Sequence, residues 1–354
     1  MKSNNSFSGV IRLLPDETLS SWLHRGLNLG RDRRFDRLYY LFLMNNLLDP
    51  DARDPSASIS LIEKTFSISA RHCQSMLPAL DYWISPERHR TTYCAECIFS
   101  DMQKGYFPAY RKSWIYRWSV VCPIHLTVLS STRCLVKNSN ETVQLAANFV
   151  IKNHAAESLK ATYSLSACRS SSYAGFTVIS SYFQEWLFKQ MSFSKIHIPG
   201  GISVRPIDFF RMVDTICWSM LRPLGVEDRT ACPTYAYLPP RTWPHHSAIN
   251  LDLNGRHTLD LASYNPLERV GFLAHLGILI GVPKCCHIWR LLGNTSPHYS
   301  HPDSRALFPN DSRNLRDAIL EHLYQQRNPL VETVSHWFNL NLQRRVGIAK
   351  PPLS

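Results

Sequence analysis

The chain has 354 residues, 44% of them hydrophobic and 11% aromatic, and it carries 39 Lys+Arg against 27 Asp+Glu, a formal net charge of +12. That length and apolar content exclude a disordered chain and leave room for two or three domains with substantial cores. The positive excess favours a polyanionic partner, such as nucleic acid or a ribonucleoprotein, over an acidic or neutral one.

The N-terminal MKSNNSFSGVIRLLPDE lacks the apolar stretch of a signal peptide. The longest near-apolar run, residues 270–282, has 13 residues and includes His275. A spanning helix needs about 20, so this run reads as a buried core helix, with no membrane partner. Ten cysteines in a chain of this kind read as metal ligands plus buried thiols, not as a disulfide framework, and point to a soluble, cytoplasmic protein.

In chain order, Pro15 and Asp16 precede Leu19, Trp22, Leu23 and Leu27, apolar positions at helical spacing, with Asp16 and Glu17 placed for the positive end of the helix dipole. A second helix is expected over Arg37–Leu48, and DPDARDPSAS (49–58) reads as a linker. Ile59, Ile62 and Phe66 then make one helical face, residues 67–69 a turn, and Ala70–Leu80 a second helix with Ser69 as its N-cap. Two short helices joined by a tight turn outline a helix-turn-helix that would expose Arg71, His72, Gln74 and Ser75. A plain helical hairpin fits the same spacing.

Cys94-x2-Cys97 is followed, after 24 residues, by Cys122-x2-His125. Each two-residue gap lets a tight knuckle aim two donors at one point, and three thiolates with one imidazole make a closed, four-ligand zinc site with no position for catalytic water. Between the pairs lies YFPAYRKSWIYRW, six aromatics interleaved with Arg111, Lys112 and Arg117. One reading is a surface that stacks on bases and neutralises phosphates. The other is that Tyr110, Trp114 and Trp118 pack the lobe while the basic residues face water.

Residues 131–175 are polar, with short strands expected, and Cys134 and Cys168 lack x2 partners. Helices are expected over Tyr182–Gln190, Ile207–Leu221 and Asn265–Val282, with Cys285, Cys286 and His287 as core and helix end. A further helix ends at Asn328–Pro329, and residues 331–350 again read as helix, turn, helix, with Gln343, Arg344 and Arg345 on the second member. The expected fold is therefore mainly α. It comprises an N-terminal helix-turn-helix region (1–92), a zinc lobe with short strands and a degenerate second finger (93–175), and a C-terminal helical domain (176–354) with a second helix-turn-helix-like element. No Walker A, dinucleotide-binding, HExxH or G-x-S-x-G motif is present, so no catalytic residues and no enzyme activity are assigned.

The opening Pro-x-Glu-x-Leu-x-Ser-Trp, the helix-turn-helix outline, Cys-x2-Cys, Trp114 and Cys-x2-His, in that order over residues 10–135, resemble the TniQ/TnsD family of transposon target selectors. The resemblance implies a non-catalytic, bacterial adaptor. It would link a target, either duplex DNA or a guide-RNA Cascade complex, to an AAA+ ATPase transposition regulator. It carries the zinc-ligand role onto Cys94, Cys97, Cys122 and His125, and leaves Cys134 and Cys168 as remnants of a second finger. The chain length matches the shorter relatives, which sit on Cascade as homodimers in RNA-guided DNA integration. An attachment-site selector that reads duplex DNA, or a zinc-containing helix-turn-helix transcription regulator, are the competing classes. Arg71, His72, Gln74, Arg111, Lys112, Arg344 and Arg345 are the expected contacts to nucleic acid or ribonucleoprotein.

Overall fold

The computed structural model describes residues 13–29 (without 15), 32–51 (without 46 and 48), 55–67, 84–132, 136–152, 172–221, 261, 266–293 and 317–336 (without 318, 319 and 322). The architecture is mainly helical, with two two-stranded antiparallel sheets among the described residues. The chain divides into two compact units, 1–160 and 161–354. The N-terminal helices and the Cys/His lobe thus share one unit, and the expected boundary at 92/93 falls inside it.

In the first unit, α1 (Leu19–Leu29), α2 (Arg34–Met44) and α3 (Pro55–Phe66) enclose one apolar cluster. Leu19, Trp22 and Leu23 from α1 meet Phe35, Leu38 and Phe42 from α2 and Ile62 and Phe66 from α3, as the helical spacing requires. The rings of Trp22, Phe35 and Phe66 lie 4.8–5.2 Å apart, centroid to centroid, in tilted and edge arrangements. Gly26 makes this approach possible, because a Cβ there would fall about 2.1 Å from the Phe35 ring. α1 is capped by Thr18, whose Oγ1 accepts the Ser21 N–H at 3.2 Å.

α3 begins at Pro55, a helix-opening position for proline, so the expected linker ends earlier than its composition indicated. Its acidic part is also not a spacer. Arg90, fully buried, donates to Asp49 at 2.6 Å and to Asp51 at 3.3 Å. Asp51 in turn accepts the Ser20 N–H at 3.1 Å and the Ser20 hydroxyl, and Ser20 Oγ lies 3.0 Å from Ser139 Oγ. One carboxylate therefore serves the first turn of α1 and, through Ser20, the start of α6 (Ser139–Lys152). α6 takes up part of the polar segment over 131–175 for which short strands were expected; residues 153–171 lie outside the described residues. The signal for α6 was present in the sequence: Asn138 caps the helix by accepting the Glu141 N–H on Oδ1 at 3.0 Å, and Glu141 Oε2 reaches back to the N–H of Lys137, just before the cap.

The proposed recognition helix over 70–80, with Arg71, His72 and Gln74, lies outside the described residues, as do Cys134, Cys168, Arg344 and Arg345. α3 itself ends at Phe66, followed by Ser67 with φ +55°, a left-handed turn that stops the helix.

In the second unit, α7 (Ser172–Gln190) packs against α9 (Pro266–Ile280) and α10 (Pro283–Gly293), and α8 (Pro206–Leu221) also reaches α9. A hairpin of β3 (Ile196–Ile198) and β4 (Ile202–Val204), unforeseen from the sequence, turns at Gly200 and Gly201, both at positive φ. Among the described residues no single helix is long and apolar enough to cross a membrane. α9 and α10 together pass that test but are bent by 107°, and α9 is buried along most of its length, as a core helix is. Asn328, expected to end a helix, does so and also donates to the Asp208 carbonyl at 2.8 Å, fastening the following turn to α8.

Two buried groups generate predictions. Arg90→Ala strands Asp49 and Asp51 without their cation and is expected to cost about 3–5 kcal/mol, read as a lowered urea midpoint. His275, packed against Phe176 and Trp289, is held down at about 4 by burial. A histidine pKa depressed in the fold stabilises above the unfolded value of about 6.5 and loses that contribution as pH falls toward 4. Stability should thus fall by about 3 kcal/mol more over that interval in wild type than in His275→Leu, in urea titrations at each pH.

Candidate metal centre

The four expected donors converge. Cys94, in extended conformation, immediately precedes α4 (Ala95–Gln103), and Cys97 sits in its first turn, where the helix dipole favours a thiolate. Cys122 and His125 lie on a knuckle closed by the Leu126 N–H on the Cys122 carbonyl and the Cys122 N–H on the Thr127 carbonyl, both 2.8 Å. Leu126 takes φ +57° to complete the turn, and the bridge between Val121 and Val128 holds its base. β1 (Thr92–Tyr93) pairs with β2 (Ser130–Ser131), which brings the two halves of the lobe into register.

His125 Nδ1 lies 3.2 Å from Cys97 Sγ, 3.5 Å from Cys94 Sγ and 3.8 Å from Cys122 Sγ, and Cys97 and Cys122 Sγ are 3.7 Å apart. All four ligand atoms fall within 4.8 Å of one another, with the cysteines buried and His125 partly exposed. The cluster can hold one metal ion. Without a cation, three thiolates this close oppose one another's ionisation. Hydrogen bonds from Cys122 and Cys97 pull the Cys94 thiol far down, whereas contacts with Cys122 and Cys94 push Cys97 up, and the Cys94 contact together with burial carries Cys122 to about 11. A divalent ion at the centre removes that conflict, and its binding must release protons.

The loop between the pairs fills the lobe. Tyr110, Trp114 and Trp118 are all buried; Tyr110 meets Trp114 edge-on at 5.5 Å, and Tyr116 stacks on Trp118 at 5.0 Å. Of the two readings of these aromatics, core packing is the one the burial supports. Arg111, expected to face a polyanion or water, is 5% exposed and donates to both oxygens of Asp101 at 2.5 and 2.6 Å. It is thus no surface contact. A small lobe needs its own charges neutralised internally, and Asp101 on α4 supplies the counter-ion. Lys112 is half-buried, in the four-residue helix α5 (Lys112–Ile115).

The N-terminal motif residues dock onto this same loop. Glu17 and Arg111 form an antiparallel bridge, the Thr18 N–H donates to the Tyr110 carbonyl at 3.0 Å, and the Tyr110 N–H donates to Ser21 Oγ at 2.9 Å. The Glu17 carboxylate, fully buried, receives Arg25 in two bonds of 2.6 and 2.9 Å and the Leu14 N–H at 2.9 Å. Burial pushes its pKa up, and Arg25 pulls it back. Asp16, at φ +60°, accepts the Lys112 N–H on its carbonyl and the Ser113 N–H on its carboxylate. Asp16 and Glu17 therefore serve this junction rather than the α1 dipole.

Comparison with known proteins finds no matching family model, no matching curated protein and no matching solved structure.

Purified chain should carry about one tightly held metal ion per molecule. Cys122→Ser is expected to lower that content and to render residues 93–130 sensitive to limited proteolysis. Chelation at pH 6 should strip the metal faster than at pH 8, because protons compete for the thiolates.

Proposed function

We propose that this chain is a non-catalytic target-selection adaptor of the TniQ/TnsD kind, which holds a target-bound Cascade ribonucleoprotein on one side and an AAA+ transposition regulator on the other. The supporting observation is that two of the motif elements behind the resemblance, the opening motif and the Cys/His pairs, lie in one structural unit and contact each other. Glu17, Thr18 and Ser21 of the opening motif seat the start of α1 against the loop that joins Cys94–Cys97 to Cys122–His125, while Trp22 packs α1 onto α2 and α3.

The metal is zinc in this reading. With Zn–S near about 2.3 Å, a tetrahedron has S–S edges of about 3.8 Å, which the 3.7 Å separation of Cys97 and Cys122 matches. Four protein donors leave no open position, so the ion is structural, and neither ATP hydrolysis nor DNA cleavage is assigned to this chain. The net charge of +12 supports a ribonucleoprotein or DNA partner. The working form is a homodimer in the bacterial cytoplasm.

Gel filtration of the protein with its cognate Cascade tests the reading. Co-elution as a dimer, with weak and sequence-blind binding to free duplex, is the expected result. Absence of co-elution, together with nanomolar binding to one genomic site whose affinity falls steeply with salt, would instead assign the chain to direct DNA readers.

A further inference from the structure

A cavity of about 240 Å³ opens between α1, α2, the 3-10 turn Glu87–His89 and the segment before α6. Leu23, Phe42, Leu43 and Leu47 give it apolar walls, and Tyr39 and Leu43 at its lining are each 39% exposed, so it communicates with solvent. Glu87 also lines it. Its carboxylate takes part in no hydrogen bond or ion pair among the described residues. The guanidinium that acts on it, Arg90, is committed to Asp49 and Asp51. Among the described residues, Glu87 thus stands without an ion-pair partner at a cavity whose apolar wall faces a polar one from Ser20, His24, Lys137 and Asn138.

We infer that this cavity is a socket for an alkylammonium group, a primary ammonium on a short apolar stem, with Glu87 as its counter-ion. The stem lies along the leucines and Phe42, and the ammonium supplies the positive charge that Arg90 cannot extend to Glu87. The inference is independent of the metal centre and of the proposed adaptor role. Lys137 lines the same cavity but forms no ion pair with Glu87, and its side chain is exposed to water. An anionic ligand is disfavoured by Asp49, Asp51 and Glu87 together.

Burial, followed by the charges of Asp49 and Asp51, pushes Glu87 up to about 7, against the opposing pull of Arg90. His24, also in the lining, is pulled down from its ordinary value by burial. Ammonium binding requires Glu87 ionised, so it should weaken about tenfold from pH 8 to pH 6.

Isothermal titration of the full chain with isoamylammonium, methylammonium, isovalerate and the peptide acetyl-Leu-Lys-Leu-amide provides the test. Saturable isoamylammonium binding that exceeds methylammonium and isovalerate binding, with the stated pH dependence, is expected. Glu87→Gln should weaken it about tenfold at pH 8 and abolish the pH dependence, with no loss of melting temperature because a repulsive charge is removed. Leu43→Ala, at a partly exposed wall position, should erase the preference for isoamylammonium over methylammonium. Tighter binding of the peptide would identify a partner's lysine as the source, and tighter binding of the free amine a small metabolite. No saturable binding at millimolar amine, equal binding of isovalerate, or unchanged binding in Glu87→Gln would overturn the inference.

Discussion

Arg90 occupies the position on which the first unit depends. Its guanidinium is fully buried, and it joins the acidic segment after α2 to the strand that leads into Cys94. Its backbone carbonyl accepts the Thr142 hydroxyl at 2.6 Å, which adds α6 to the same junction. Helices α1 and α6 and the Cys/His lobe are thereby referred to one side chain. Burying a guanidinium is costly in itself, so such a residue persists only where its partners are fully engaged. Here two carboxylates and the Ser85 carbonyl engage it.

Two further ion pairs repeat the pattern, Glu17 with Arg25 and Asp101 with Arg111. Each lies where an irregular segment crosses the interior. Apolar packing alone does not set the register of such segments, because any leucine contacts almost any other with similar energy. An arginine–carboxylate pair fixes the side chains on each segment, and backbone bonds between Thr18 and Tyr110 and between Lys112 and Asp16 align residues 16–18 against 110–113. The lobe that carries the cysteines has little room for a core of its own, and it gains one by lying against α1 and α6.

That arrangement gives the metal centre its form. The knuckle donors come from a turn that Leu126 closes with a left-handed backbone, and the other pair from a helix start. Neither half holds its thiolates in place unaided. The β1–β2 pairing and the inter-pair loop, packed by Tyr110, Trp114 and Trp118, set the distance between them. Tyr110, Arg111, Trp114 and Trp118 of the aromatic-basic segment between the cysteine pairs are therefore interior scaffold, while Tyr106 at its start is exposed.

The sequence by itself determined the four donors, because an x2 gap is a local property and two such gaps define one tetrahedron. It also determined the core faces of α1 and α3, the span of α8 and the burial of α9, since helical periodicity is written within one element. α6 was legible too, in the Asn138–Glu141 cap, although its polar composition concealed it. Tertiary structure alone decided the rest. Whether Arg111 meets a phosphate or Asp101, and whether Asp49 and Asp51 are linker or counter-ions to Arg90, depends on which distant segments lie side by side. A charged side chain carries no local mark of its partner. Its role is set by burial and by the charges that the fold brings to it, 39 and 41 residues away in sequence for Asp51 and Asp49.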